Sequence, residues 1–116
     1  MVVDDDEDTR AVVCSIAERA GILAVAAGDS DDAIAMIRSI QIDVRIVQLR
    51  VPGQLDGVGL VQLVRQRTPD LPVIYISRFP HAGNLDVALG APVLHKAALR
   101  HELENVLARA RLSISA

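Results

Sequence analysis

Val73-Ile74-Tyr75-Ile76 is an unbroken apolar run of strand length, and a strand of this kind can be solvated on neither face. A strand with one wet side alternates apolar and polar residues, whereas continuous runs belong to parallel strands covered by helices above and below. The rest of the chain supplies that cover. Val2-Val3, Ile22 to Ala26, Val44 to Leu49 and Val93-Leu94-His95 are the other strand candidates, and segments of helical period lie between them. Strict alternation of strand and helix predicts a parallel α/β sheet with helices on both faces.

The helices are read from their apolar spacing and ends. Asp8 to Ala20 carries Val12, Val13, Ile16, Ala17 and Ala20 on one face, with Gly21 placed to cap it. Ser30 is the expected N-cap of the second helix, with Asp31 and Asp32 in its positive first turn ahead of Ile34, Ile37 and Ile40. Leu60, Leu63 and Val64 mark a third helix after the loop from Val51 to Gly57. A fourth, near Leu85 to Leu89, is expected to be short or irregular because Pro80, Gly83 and Gly90 surround it. The last runs from about Leu99 to Leu112, with Leu99, Leu103, Val106, Leu107 and Ala110 inward. Arg45 is out of place in a strand that should be apolar on both sides, so it is expected near the strand's start with its charge snorkelling outward.

A length of 116 residues is that of a single domain over 1–116. Charges interrupt every apolar stretch longer than a strand, so no segment is suited to cross a bilayer. The opening Val2-Val3 runs into Asp4-Asp5-Asp6-Glu7-Asp8, the reverse of a secretory leader, and a cytoplasmic location is expected. Cys14, the single cysteine, reads as a small buried hydrophobe. A net charge of −3 with scattered basic residues, and aromatic content of 2%, argues against direct nucleic-acid contact. His81, His95 and His101 have no metal-site spacing and default to surface or capping roles.

In an open parallel sheet, ligands bind beyond the carboxyl ends of the strands. Asp4 and Asp5 follow the first strand, Gln48 lies near the end of the third, Ser77 ends the fourth and Lys96 follows the fifth. Taken alone, Asp4 to Asp8 would be a solvated turn complementing a helix dipole, Ser77 a helix cap and Lys96 a loop lysine. The four strand ends together form a set.

With these residues in order, the chain resembles the receiver domain of bacterial response regulators, over about residue 1 to residue 112. Val2-Val3-Asp4-Asp5-Asp6 looks like that family's first strand and acidic pair. Asp43 to Gly53 resembles its phosphoacceptor strand and following loop, Leu71 to Ser77 the strand ending in a hydroxyl residue, and Leu94-His95-Lys96 the strand ending in lysine. The resemblance implies a flavodoxin-like doubly wound sheet of five strands in the order 2-1-3-4-5. It also implies phosphate transfer from a histidine kinase to an aspartate at position 48, aided by Mg2+ on Asp4 and Asp5.

Position 48 is glutamine. A neutral, delocalised carboxamide is a poor nucleophile where acyl-phosphate formation needs a carboxylate, so phosphorylation of the usual kind is expected to fail. Mg2+ prefers carboxylate oxygens, so its binding at Asp4 and Asp5 is expected to be weak or vestigial and no cofactor is required. Lys96 is expected to replace the cation by pairing with Asp5; a charge pair at about 4 Å is worth ~4 kcal/mol at an effective dielectric near 20, before desolvation. Further departures touch the family's switch positions, Ser77 and Val93. Val93 stands where the family has a mobile aromatic ring, and Ala97 replaces the proline after the lysine, so the Lys96–Ala97 peptide bond is expected to be trans.

The reading is a degenerate receiver, or pseudo-receiver, that is not an enzyme and acts in two-component signalling by phosphorylation-independent contact. Its expected partner is a histidine kinase, a phosphotransfer protein, an output domain or a second copy. Lack of an output segment after Leu112 points to a stand-alone or excised receiver. One alternative is a Mg2+-dependent phosphohydrolase similar to the haloacid dehalogenase group, since Asp4-Asp5-Asp6 has that group's aspartate spacing. Asp8 stands where those enzymes need threonine or valine. The other alternative is a purely structural dimerisation domain.

Overall fold

The computed structural model describes residues 1–39, 42–49, 53, 56–78 and 90–115. Its elements are β1 (Val2–Val3), α1 (Glu7–Arg19), β2 (Ala26–Ala27), α2 (Ser30–Ser39), β3 (Arg45–Gln48), α3 (Gly57–Arg65), β4 (Val73–Ser77), β5 (Val93–His95), a 3-10 turn (Lys96–Ala98) and α4 (Leu99–Ser115). The five strands form one sheet in the order 2-1-3-4-5, and every pairing is parallel. The expected helix near Leu85 to Leu89 lies outside the described residues.

Residue parity along the strands divides the core. Val2, Ile46, Ile74, Ile76 and Leu94 pack with Val13 and Ile16 of α1 and Leu99, Leu103 and Leu107 of α4. Val3, Val47, Val73 and Tyr75 pack on the other side, with Ala33 of α2 and Leu60 and Val61 of α3. Adjacent strand residues thus serve opposite layers, the arrangement that the continuous apolar runs require. All residues of β4 are buried.

Local chemistry sets the ends of the elements. After α1, Gly21 takes φ 81°; its N–H donates to Glu18 O, and the Ile22 N–H donates to Ala17 O. These are the paired bonds of a Schellman cap, which glycine adopts without steric cost. The cap consumes Ile22, so β2 is confined to Ala26–Ala27 instead of beginning at Ile22. At α2 the N-cap is Asp29, not Ser30: Asp29 Oδ1 accepts from the Asp32 N–H at 2.8 Å, and Ser30 is the first residue of the helix.

Two side chains on the α2/α3 side stand out. Leu63, one of the apolar residues that mark α3, is 40% exposed. Arg45 does begin β3, but it does not snorkel: the residue is 2% exposed, the largest fully buried side chain among those described. Its strand position shares the parity of Val47, so the chain sends a cation into an apolar layer.

Candidate functional site

The C-terminal edge of the sheet gathers several of the predicted residues. Asp4, immediately after β1, is completely buried. Its Oδ1 accepts from the Asp6 N–H at 2.8 Å and from Lys96 Nζ at 3.1 Å, while its Oδ2 is buried without a partner. Lys96 follows β5, with its side chain 16% exposed. Arg10 Nη1 donates to the Asp4 carbonyl at 2.7 Å, tying α1 to the same turn.

The lysine therefore pairs with Asp4 and not, as expected, with Asp5. The reason is the pleat: Asp4 continues the parity of Val2 toward α1 and α4, and Lys96 enters from the 3-10 turn that precedes α4. Asp5 points outward, where its Oδ1 accepts from Arg78 Nη2 at 3.2 Å. Asp6 has a separate task as the N-cap of α1, accepting from the Thr9 hydroxyl at 2.6 Å. That bond, with the Asp8 amide and nearby Lys96 assisting, holds the exposed Asp6 carboxyl below its ordinary pKa. Lys96 Nζ lies 3.9 Å from Asp6 Oδ2.

Gln48 ends β3 and is 5% exposed. The pairing of Val3 with Val47 sets Gln48 alongside Asp4 in the next register position, and Gln48 Oε1 is buried with no hydrogen-bond donor. Gly57 brings the start of α3 against this tip. Its N–H donates to Leu49 O at 3.1 Å, and a Cβ there would collide with the Gln48 carbonyl oxygen, so the close approach requires glycine. Ser77 ends β4, buried, with His95 as its register partner. Val93 is half-buried beside Tyr75 in the β4–β5 pairing. The Lys96–Ala97 bond is trans, and His95 Nδ1 caps the turn by accepting from the Ala97 N–H at 3.1 Å.

The donor set does not suit Mg2+ as arranged. Asp4 Oδ2 and Gln48 Oε1 are unpaired oxygens, but only Asp4 is a carboxylate, its other oxygen is committed to Lys96, and Asp5 is turned to Arg78. Among the described residues no three acidic, histidine or cysteine side chains gather to hold an ion. Mg2+ is held through one or two carboxylates and retained waters, and here the one unpaired carboxylate oxygen belongs to a group already neutralised by Lys96. Sequence reasoning missed Arg78 and the capping role of Asp6; the first directly follows the end of β4, and the second stands three residues before Thr9 as an N-cap pattern.

A doubly wound sheet in this order, with an aspartate and a lysine meeting at its C-terminal edge, defines a class of α/β signalling domain. The chain belongs to the response regulator receiver domain family, whose profile matches residues 1–108. It is similar to the nitrogen assimilation regulatory protein NtrX of Azorhizobium caulinodans, 32% identical over 78% of this chain and 20% of that protein. It is likewise similar to the DNA-binding transcriptional regulator NtrC of Proteus hauseri, 33% identical over 78% of this chain and 18% of the relative. The chain thus spans about a fifth of the length of the curated relatives it matches. Among solved structures, the receiver domain of NtrX from Brucella abortus superposes with TM-score 0.74 at 25% identity, covering 99% of this chain and 97% of that one. Among the described residues, no helix is long and apolar enough to cross a membrane.

Proposed function

We propose that this chain is a pseudo-receiver: a two-component signalling module that does not accept phosphate and works through protein contact alone. The observation that carries the reading is Gln48, a buried amide at the tip of β3 in register beside Asp4. An amide supplies no nucleophile for phosphoryl transfer. Lys96 already neutralises the one buried carboxylate, at 3.1 Å, so the edge has an internal cation where Mg2+ would otherwise be required. Metal affinity at Asp4 and Asp5 is correspondingly weak.

In this reading Asp4, Asp5, Gln48, Ser77 and Lys96 are a retained but silent pocket in one domain over residues 1–116. Val93, lacking a ring, relays nothing from Ser77. The partner is a histidine kinase, a phosphotransfer protein, an output domain or a second copy, met in the cytoplasm without direct contact to nucleic acid or membrane. The domain is not an enzyme.

The test is intact-protein mass after incubation with acetyl phosphate and Mg2+. The expected result is no adduct on the native chain and a labile phosphate on Gln48→Asp; an adduct on the native chain that Gln48→Ala abolishes overturns the proposal. Light scattering with and without a candidate kinase separates partner binding from self-association.

A further inference from the structure

The opposite edge of the sheet carries the more unusual chemistry. Arg45 starts β3 in the centre of the sheet and is 2% exposed. Its Nε and Nη1 are buried and donate to nothing, and among the described residues it joins no salt bridge. Burial pushes its guanidinium down to about 10, still charged at neutral pH. A buried cation without a partner costs several kcal/mol as a rule and persists where something compensates it.

Arg45 lines a cavity of about 370 Å³ between α2 and α3. Ile34, Ile37, Leu63 and Val64 form its apolar walls, and Arg38 and Arg67 stand at its sides. No carboxylate is among its described lining residues. The exposure of Leu63, a large apolar side chain left 40% open, falls on this same cavity. Its volume is within the range of small-molecule sites, which combine apolar walls with few convergent polar groups.

We propose that this cavity binds an amphipathic carboxylate, its head paired with Arg45 and its hydrocarbon body lying along Ile34, Ile37 and Leu63. A single buried guanidinium is neutralised one for one by a monoanion, and its planar N–H donors suit carboxylate oxygens. The apolar walls give an alkyl or aryl body a surface to bury, which a compact inorganic anion cannot use. Arg38 and Arg67, both exposed, add long-range attraction for an anion. The site lies at the other end of β3 from Gln48, so it stands whether or not that residue silences phosphorylation.

Thermal unfolding of the 1–116 chain with octanoate, acetate and octanol tests the assignment. Octanoate is expected to raise Tm saturably, by about 5 °C at tenfold excess over Kd. Acetate and octanol at matched concentration are expected to give little shift, since each supplies only half of the ligand. Arg45→Leu is expected to abolish the octanoate shift. Leu63→Asp, a change on an exposed helix position that repels the anion, is expected to weaken binding about tenfold, and it carries the test if Arg45→Leu fails to fold. No saturable shift with octanoate, an equal shift in either variant, or an equal shift with acetate or octanol alone overturns the proposal.

Discussion

Buried charge is handled differently at the two ends of this sheet. At the C-terminal edge Asp4 is wholly inaccessible, yet Lys96 reaches it at 3.1 Å and the Asp6 amide at 2.8 Å. At the N-terminal edge Arg45 is nearly as buried, and its Nε and Nη1 have no acceptor. The first edge carries its own counter-ion and has no electrostatic need of a ligand. The second has that need and a cavity in which to meet it. Family resemblance draws attention to the first edge, whereas unbalanced charge draws it to the second.

The contrast predicts opposite signs for neutralising the two cations. Lys96→Met leaves the Asp4 carboxylate buried without its partner, and loss of one member of a buried pair is the costly change. The expected destabilisation is about 3 kcal/mol, read from the urea midpoint, and most of it should return in the double variant with Asp4→Asn. A cost equal to that of a surface charge would show that Asp4 is compensated by something other than Lys96.

Arg45→Leu should go the other way, raising stability by about 2 kcal/mol because it removes an unpaired buried charge and adds apolar contact. The pH dependence follows from linkage. The folded-state pKa, lowered to about 10, lies below the ordinary arginine value near 12.5, so between them the unfolded chain binds more protons and stability rises with pH. Below about 10 the desolvation penalty is complete. The gain from Arg45→Leu should therefore be flat between about pH 8 and pH 9 and should shrink when octanoate is saturating. Below about pH 7 it should grow, because the buried Met1 amine, lowered to about 6 by its burial and by Arg45, takes up a proton there and repels the guanidinium; a gain that did not grow would show that the two cations do not interact.

What could be read in the sequence follows the same division. The two helical layers and the meeting of Asp4, Gln48 and Lys96 at one edge derive from alternation and strand ends, which are local patterns, whereas the strand order follows only from the family resemblance. Strand ends alone pair Lys96 with the wrong aspartate, because they leave out the pleat that continues past Val3. Parity from Val2 turns Asp4 inward and Asp5 out, and that signal was present. The cap at Gly21 to Ile22 and the shortened β2 depend on hydrogen bonds that apolar runs do not encode. Arg45 is a different case. Its oddity was visible, but burial without a partner is a property of the surrounding elements, and the cavity forms only where α2 and α3 come together over β3.

The smallest expected effect sharpens the comparison within one edge. Asp5 and Arg78 form a pair at 3.2 Å, almost the separation of Asp4 and Lys96, but the side chains are 35% and 47% exposed. Water already solvates both charges, so the pair gains little and its removal strands nothing in a poor dielectric. Arg78→Ala should cost below about 0.5 kcal/mol, and the cost should vanish near 1 M salt, where the Debye length falls to about 3 Å. The cost of Lys96→Met should survive the same salt, because ions cannot reach Asp4. Parallel urea titrations at low and high salt check both. If the two variants lost stability equally, or lost the same share of it to salt, burial would not be what separates these pairs, and the contrast drawn with Arg45 would lose its basis as well.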